Sequence, residues 1–199
     1  MFDQMDINTN QTIRTFIACP IPRAISQKIA LVQDQIKAYQ WKVRWVPVSN
    51  IHLTLSFLGD IHPSMQQKIV HAINPLIVRQ KPFEFCLGNL GVFPGARRPN
   101  VLWIGLNGDI APLVSFHKHL QHALMSLGFS GEKRTFKAHL TLGRIKGPVS
   151  KNQLAQALCM DISGDKYQFI CDRLVFYQSQ LSSTGAKYSI LHEWKFNSK

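Results

Sequence analysis

His52 and His139 each open the tetrapeptide His-Leu-Thr-Leu, and the two copies lie 87 residues apart in IHLTLSFLGD and AHLTLGRIKG. With 8 His, 20 Leu and 7 Thr among 199 residues, shuffling the chain would give a second copy in only about 0.3% of cases, so the repeat marks a reused element. Imidazole titrates near neutral pH. A neutral ring can take a proton from water or a hydroxyl, while a protonated ring can give one to a leaving oxygen. The threonine two residues on offers a short donor for a non-bridging phosphate oxygen. Neither tetrapeptide carries a carboxylate, and no Asp, Glu or Cys beside them completes a zinc set. Two such pairs fit phosphodiester cleavage without a metal.

The elements around the motifs must bring them together. Side chains alternate along a strand, so regular spacing puts His52, Thr54 and Ser56 on one face and Ile51, Leu53, Leu55 and Phe57 on the other. In the second copy His139, Thr141 and Gly143 share a face, opposite Ala138, Leu140 and Leu142. The leucines face a core and the His and Thr face outward. Two such strands side by side near a pseudo-two-fold axis converge two imidazoles and two hydroxyls on one small space.

RTFIACPI reads as a strand. Ile25, Ile29, Val32 and Ile36 then recur at helical spacing behind Pro22. VRWVPV reads as an edge strand because Pro47 cannot donate to a ladder. Met65, Ile69 and Ile73 mark a second helix that Pro75 should end or kink. FEFCLGNLGVF and VLWIGL read as strands flanking PGARRPN. Leu113, Phe116, Leu120, Leu124 and Leu127 stripe a third helix, stopped by Gly128. A short helix over 151–159 and two closing strands, QFICDRLVFYQSQ and AKYSILHEWKF, complete the chain. The expected architecture is α+β: two related antiparallel-sheet lobes with helices outside and a cleft between them. Residues 1–12 read as a flexible extension and 13–199 as one bilobal domain.

Lys and Arg number 23 against 11 Asp and Glu, a formal charge of +12. That excess favours a polyanionic partner such as nucleic acid. No run approaches the ~20 apolar residues of a membrane span, and the N-terminus does not read as a secretory signal. Four scattered Cys without C-x-x-C spacing read as cytoplasmic thiols.

These stretches resemble a known family, the two-histidine (2H) phosphoesterases and within them the RNA 2′,3′-cyclic phosphodiesterases, historically called 2′-5′ RNA ligases. The likeness is carried by RTFIACPIP, WVPVSNIHLTLSFLGD, GVFPGARRPNVLWIGL, FKAHLTLGRIK and LVFYQSQLSSTGAKYSILHEWKF. It implies a bilobal 2H fold that opens a terminal 2′,3′-cyclic phosphate to a 2′-phosphomonoester without metal or cofactor. It casts His52 as proton donor to the leaving 3′ oxygen and His139 as acceptor activating water; the residues alone give the pair but not its direction. Thr54 and Thr141 would hold the phosphate, and the reverse reaction would form a 2′-5′ bond. Alternatives within the fold are ADP-ribose 1″,2″-cyclic phosphate or 2′-5′ oligonucleotides as substrates; a binding module without catalysis is the alternative of another class. The expected partner is an RNA or oligonucleotide bearing a terminal cyclic phosphate. A monomer is expected.

Arg144 matches a phosphate-contacting arginine of that family, yet regular alternation puts it on the leucine face. A bulge at Gly143 would re-aim it. Arg98 is a further candidate for the cleft, and Phe16 for stacking a terminal base. His117, His119 and His122 read as exposed polar-face residues of the third helix.

Overall fold

A computed structural model describes residues 11–131, 134–162, 167–183 and 185–197. The anticipated N-terminal extension falls almost wholly outside them. Strands and helices alternate as β1 (Ile13–Pro20), α1 (Arg23–Lys37), β2 (Val43–Trp45), β3 (His52–Ile61), α2 (Met65–Ile77), β4 (Phe83–Phe93), β5 (Val101–Gly108), α3 (Ile110–Met125), β6 (His139–Ile145), α4 (Lys151–Leu158), β7 (Gln168–Cys171), β8 (Arg173–Ser182) and β9 (Gly185–Lys195). A 3₁₀ turn, Val48–Asn50, leads into β3.

The strands form one antiparallel sheet in the order β7-β4-β5-β6-β3-β1-β8-β9, with β2 added to β6. The anticipated lobes are its two halves, β7-β4-β5-β6 with β2 and β3-β1-β8-β9. They meet where the two His-Leu-Thr-Leu strands touch, at a single ladder pair, Leu53 opposite Leu140. The duplication is visible in the connections. β1-α1-β3 and β5-α3-β6 are equivalent units, each ending in a motif strand beside its first strand. After each unit the chain crosses over: α2 leads to β4, which pairs with β5, and α4 leads through β7 to β8, which pairs with β1.

Hydrophobic periodicity explains the helices. α1 buries Ile25, Ile29, Val32 and Ile36, and α3 buries Leu113, Phe116, Leu120 and Leu124; each such side chain contributes roughly 1.5–3 kcal/mol relative to exposure. Gly128 takes φ +91° after α3, a left-handed turn that suits glycine. α2 differs from expectation by running through Pro75 to Ile77. The proline removes one helical hydrogen bond, but only two residues follow it. The long closing strand anticipated over QFICDRLVFYQSQ is two strands, broken at Asp172, because β7 pairs with β4 and β8 with β1. None of the helices is long and apolar enough to cross a membrane, among the described residues.

Both motif strands depart from regular alternation at the same point. In β3, Ile17 pairs with Ser56 and Ala18 with Thr54, so Leu55 is skipped. In β6, Leu102 pairs with Gly143 and Trp103 with Thr141, so Leu142 is skipped. Each is a bulge at the second leucine, and it shifts the alternation by one residue. Ser56 is therefore buried with the leucines at 4% exposure, and Phe57 stands outward at 64%; both reverse the faces expected from regular spacing. The same shift makes Gly143 buried and Arg144 exposed. Gly143 is required there: a Cβ would meet Val43 Cγ1 at 2.6 Å and the Arg44 carbonyl at 3.2 Å. Gly143→Ala is expected to lower the unfolding free energy by about 1–3 kcal/mol, measured by urea denaturation; an unchanged midpoint and slope would show that β2 yields freely.

Candidate active site

With Leu53 opposite Leu140 in antiparallel register, His52 falls beside Thr141 and Thr54 beside His139 on the outward face. His52, Thr54, Thr141 and Arg144 line one open cavity of about 730 Å³ with Arg14, Arg44, Phe57 and Tyr188. Three arginines and no carboxylate are among its lining residues, so its potential suits an anion. His139 adjoins it through the register, on a wall built from Phe93 and Trp103.

The two imidazoles are held alike. His139 Nδ1 lies 2.6 Å from the Lys137 carbonyl, two residues back. His52 bonds the backbone of Asn50, also two residues back, in the sense that favours a protonated ring, which identifies the carbonyl as acceptor. A ring nitrogen facing a carbonyl must carry hydrogen. In the neutral ring the other nitrogen, Nε2 in His139, is then the basic one. Each ring also rests on an aromatic shelf from the neighbouring strand. His52 stacks on Phe16 of β1 with centroids 4.7 Å apart, and His139 lies edge-on to Trp103 of β5 at 6.1 Å. Phe16 and Trp103 are themselves 87 residues apart.

The environments differ in enclosure. Tyr188 and Tyr177 close around His52 at centroid distances of 5.4 and 6.2 Å. Desolvation by this enclosure lowers the His52 pKa to about 4, against the opposing pull of the Asn50 bond. His52 is thus neutral at physiological pH in the free protein. Burial also pushes the Tyr177 and Tyr188 hydroxyls upward, so both stay protonated donors.

Three expectations need correction. Phe16 lines the cavity, but it is 3% exposed and packed against His52, Tyr177 at 5.0 Å and Tyr188 at 4.9 Å, so it supports the His52 ring and offers no open face. Arg98 is exposed in the turn joining β4 to β5, where its N–H donates to the Gly95 carbonyl at 3.2 Å, and it does not join the arginines lining the cavity. His117 is buried at 6% exposure and stacks on Phe136 at 4.0 Å, while His119 and His122 are exposed as anticipated. Asn50 and Phe57 line the cavity, and the sequence reading does not single them out. Asn50 sits two residues before the motif, as Lys137 does, and its Nδ2 also donates to the Ala186 carbonyl at 2.6 Å. Among the described residues no three His, Cys, Asp or Glu side chains gather as a metal set.

The LigT like phosphoesterase family matches residues 19–103. The chain is 31% identical over 182 residues to the RNA 2′,3′-cyclic phosphodiesterase of Methanocaldococcus jannaschii, covering 92% of this chain and all of the relative. It is 30% identical to the protein of the same name from Thermotoga maritima, covering 92% and 96%. Among solved structures it resembles TT0787 of Thermus thermophilus with a TM-score of 0.78 at 20% identity, covering 92% and 98% of the two chains. It resembles Escherichia coli LigT in its apo form with a TM-score of 0.76 at 22% identity, covering 94% and 99%. These two establish the fold.

Gly91 of β4 lies under the Trp103 indole, and a Cβ there would run into Cζ2, Cη2 and Cε2 of that ring. Gly91→Ala must therefore displace the shelf beneath His139. The expected result is a fold retained by circular dichroism with kcat down about tenfold or more. An unchanged kcat in the folded variant would mean that the shelf does not set the ring.

Proposed function

The chain belongs to the LigT-like phosphoesterase family, alongside RNA 2′,3′-cyclic phosphodiesterases, and we propose that its cleft opens the 2′,3′-cyclic phosphate at an RNA end to a 2′-phosphomonoester. The observation that carries this reading is the duplicated presentation of the two imidazoles. Each holds its N–H on a carbonyl two residues back, and each stands beside the other motif's threonine above an arginine-lined cavity.

In the proposed reaction, Thr54, Thr141 and Arg144 hold the non-bridging oxygens of the cyclic phosphate. Arg14 and Arg44 attract the neighbouring backbone phosphates. Phe57 offers its face to the terminal base. One imidazole takes a proton from water as the water oxygen bonds to phosphorus. The other donates a proton to the 3′ oxygen as that P–O bond breaks. The 2′ ester survives, and water's atoms are shared between the phosphate and the new 3′ hydroxyl. With a 5′ hydroxyl in place of water, the same steps join that oxygen to the phosphorus as the 3′ oxygen leaves, and form a 2′-5′ bond.

The direction of the relay rests on charge. His139 acts as acceptor through Nε2. His52, neutral in the empty cleft, becomes the donor only when the bound phosphate anion lifts its pKa, so substrate and proton enter together. His52→Ala or His139→Ala should each cost at least ~100-fold in turnover of an RNA ending in a 2′,3′-cyclic phosphate. Hydrolysis should survive EDTA, and NMR of the product should place the phosphate on the 2′ oxygen. Near-normal rates in either variant, or EDTA inactivation reversed by zinc, would overturn the mechanism.

Proton uptake tests the direction. The cyclic diester keeps one charge across neutral pH, so it takes up no proton itself. Calorimetry of this RNA with His139→Ala protein at pH 6, in buffers of different ionisation enthalpy, should register uptake approaching one proton. Binding without uptake would leave His52 neutral and assign it the acceptor role.

A further inference from the structure

The two bulges are gripped from behind by side chains that regular strand pairing would not need. Gln33 sits on the buried face of α1 at 3% exposure, among Ile29, Val32 and Ile36. A buried amide requires partners. Its Nε2 donates to the Leu142 carbonyl at 3.0 Å and to the Val46 carbonyl at 2.9 Å. The Val46 N–H donates to the same Leu142 carbonyl at 2.9 Å. Leu142 is the residue skipped in β6. Gln33 thus closes a ring of hydrogen bonds joining α1, the segment after β2 and the second motif's bulge.

The other half repeats the device. Gln121 of α3 donates through Nε2 to the carbonyl of Leu55, the residue skipped in β3, at 3.5 Å. His117, one turn earlier, bonds the same backbone in the sense that identifies the carbonyl. Its Nε2 has no hydrogen-bond partner, so Nδ1 makes that bond. Gln33 and Gln121 lie 88 residues apart, and the two carbonyls 87. In each case the helix of one β-α-β unit holds the bulge of the other unit's motif strand.

Each bulge sets the facing of the residues on its C-terminal side. One residue's shift turns Arg144 and Phe57 into the cleft; regular pairing would turn both toward the core. We infer that Gln33 is a positioning residue for Arg144, and Gln121 with His117 for Phe57, each acting across the lobe boundary through a bulge carbonyl. The functional consequence rests on the reading of the cleft as a phosphate site; the structural consequence does not.

The test is Gln33→Met, which keeps the volume and removes both donors. Hydrogen exchange reads the bulge without any ligand. The Val46 and Ile145 amides, bonded to the Leu142 and Asn100 carbonyls, should exchange at least about tenfold faster than in the parent, with β1 amides unchanged. Equal exchange at both would overturn the inference whatever the cleft binds. Affinity for 2′-AMP, by calorimetry, should fall about tenfold, as for loss of one charge-assisted contact. Arg144→Ala should weaken binding as much or more, and the double variant should bind no more weakly than Arg144→Ala alone. Additive losses would make Gln33 a general support and overturn the positioning role. If the parent fails to bind 2′-AMP, the phosphate reading falls while the exchange result still decides the bulge. Should Gln33→Met not fold, Gln121→Met carries the same exchange test on the half-buried side, read at the Ser56 and Phe57 amides. Unchanged exchange there would overturn the inference.

Discussion

Among the described residues, Leu53 facing Leu140 is the one ladder pair that joins the two halves of the sheet. Every property of the cleft depends on it. A one-residue slip at this pair would exchange faces along a motif strand, burying His and Thr and exposing leucine. The leucines prevent that, since Leu53, Leu55, Leu140 and Leu142 are all at most 1% exposed in the shared core. The same burial that stabilises the sheet therefore fixes which way four polar side chains look. A hydrophobic constraint on one face fixes the register of the polar side chains on the other.

Duplication then furnishes matched settings for the two imidazoles but not identical ones. The carbonyl two residues back and the aromatic shelf 87 residues apart are common to both. Enclosure is not. The β8–β9 ribbon brings Tyr177 and Tyr188 around His52, whereas Phe93 and Trp103 meet His139 edge-on. Packing around His52, not a neighbouring charge, lowers its proton affinity in the empty cleft; in the proposed reaction the bound phosphate anion raises it again.

Much of this is legible in the sequence, because the signals are periodic. Two-residue alternation locates the motif strands, and the 3.6-residue stripes of α1 and α3 locate the helices that back them. The likeness between halves follows from one repeated tetrapeptide. What periodicity cannot register is its own interruption. The bulge at Leu55 reverses the expected faces of Ser56 and Phe57, the bulge at Leu142 those of Gly143 and Arg144, and only the glycine after Leu142 hints at one of them. His117 escapes the pattern because a polar residue beside an apolar stripe looks solvent-facing; its partner, a strand carbonyl 62 residues away, has no local signature. The break at Asp172 is hidden for a related reason. β7 and β8 are both good strand sequences, and only the crossing between halves separates them. Gln33 does carry a signal, a lone amide inside an otherwise aliphatic helix face.

The points where the repeat fails matter as much as where it holds. The position after the bulge is Phe57 in one half and Arg144 in the other, and both reach the same cavity. A symmetric pair of arginines would bind an anion equally well in either orientation, leaving the two imidazoles interchangeable. A ring on one side and a guanidinium on the other give the ligand a preferred polarity, with its apolar face toward Phe57 and its charge toward Arg144. Orientation of the ligand fixes which imidazole meets which oxygen. In the proposed reaction, the direction of proton flow thus arises from two residues that move no proton, placed by bulges that the duplication preserved and filled by side chains that it did not.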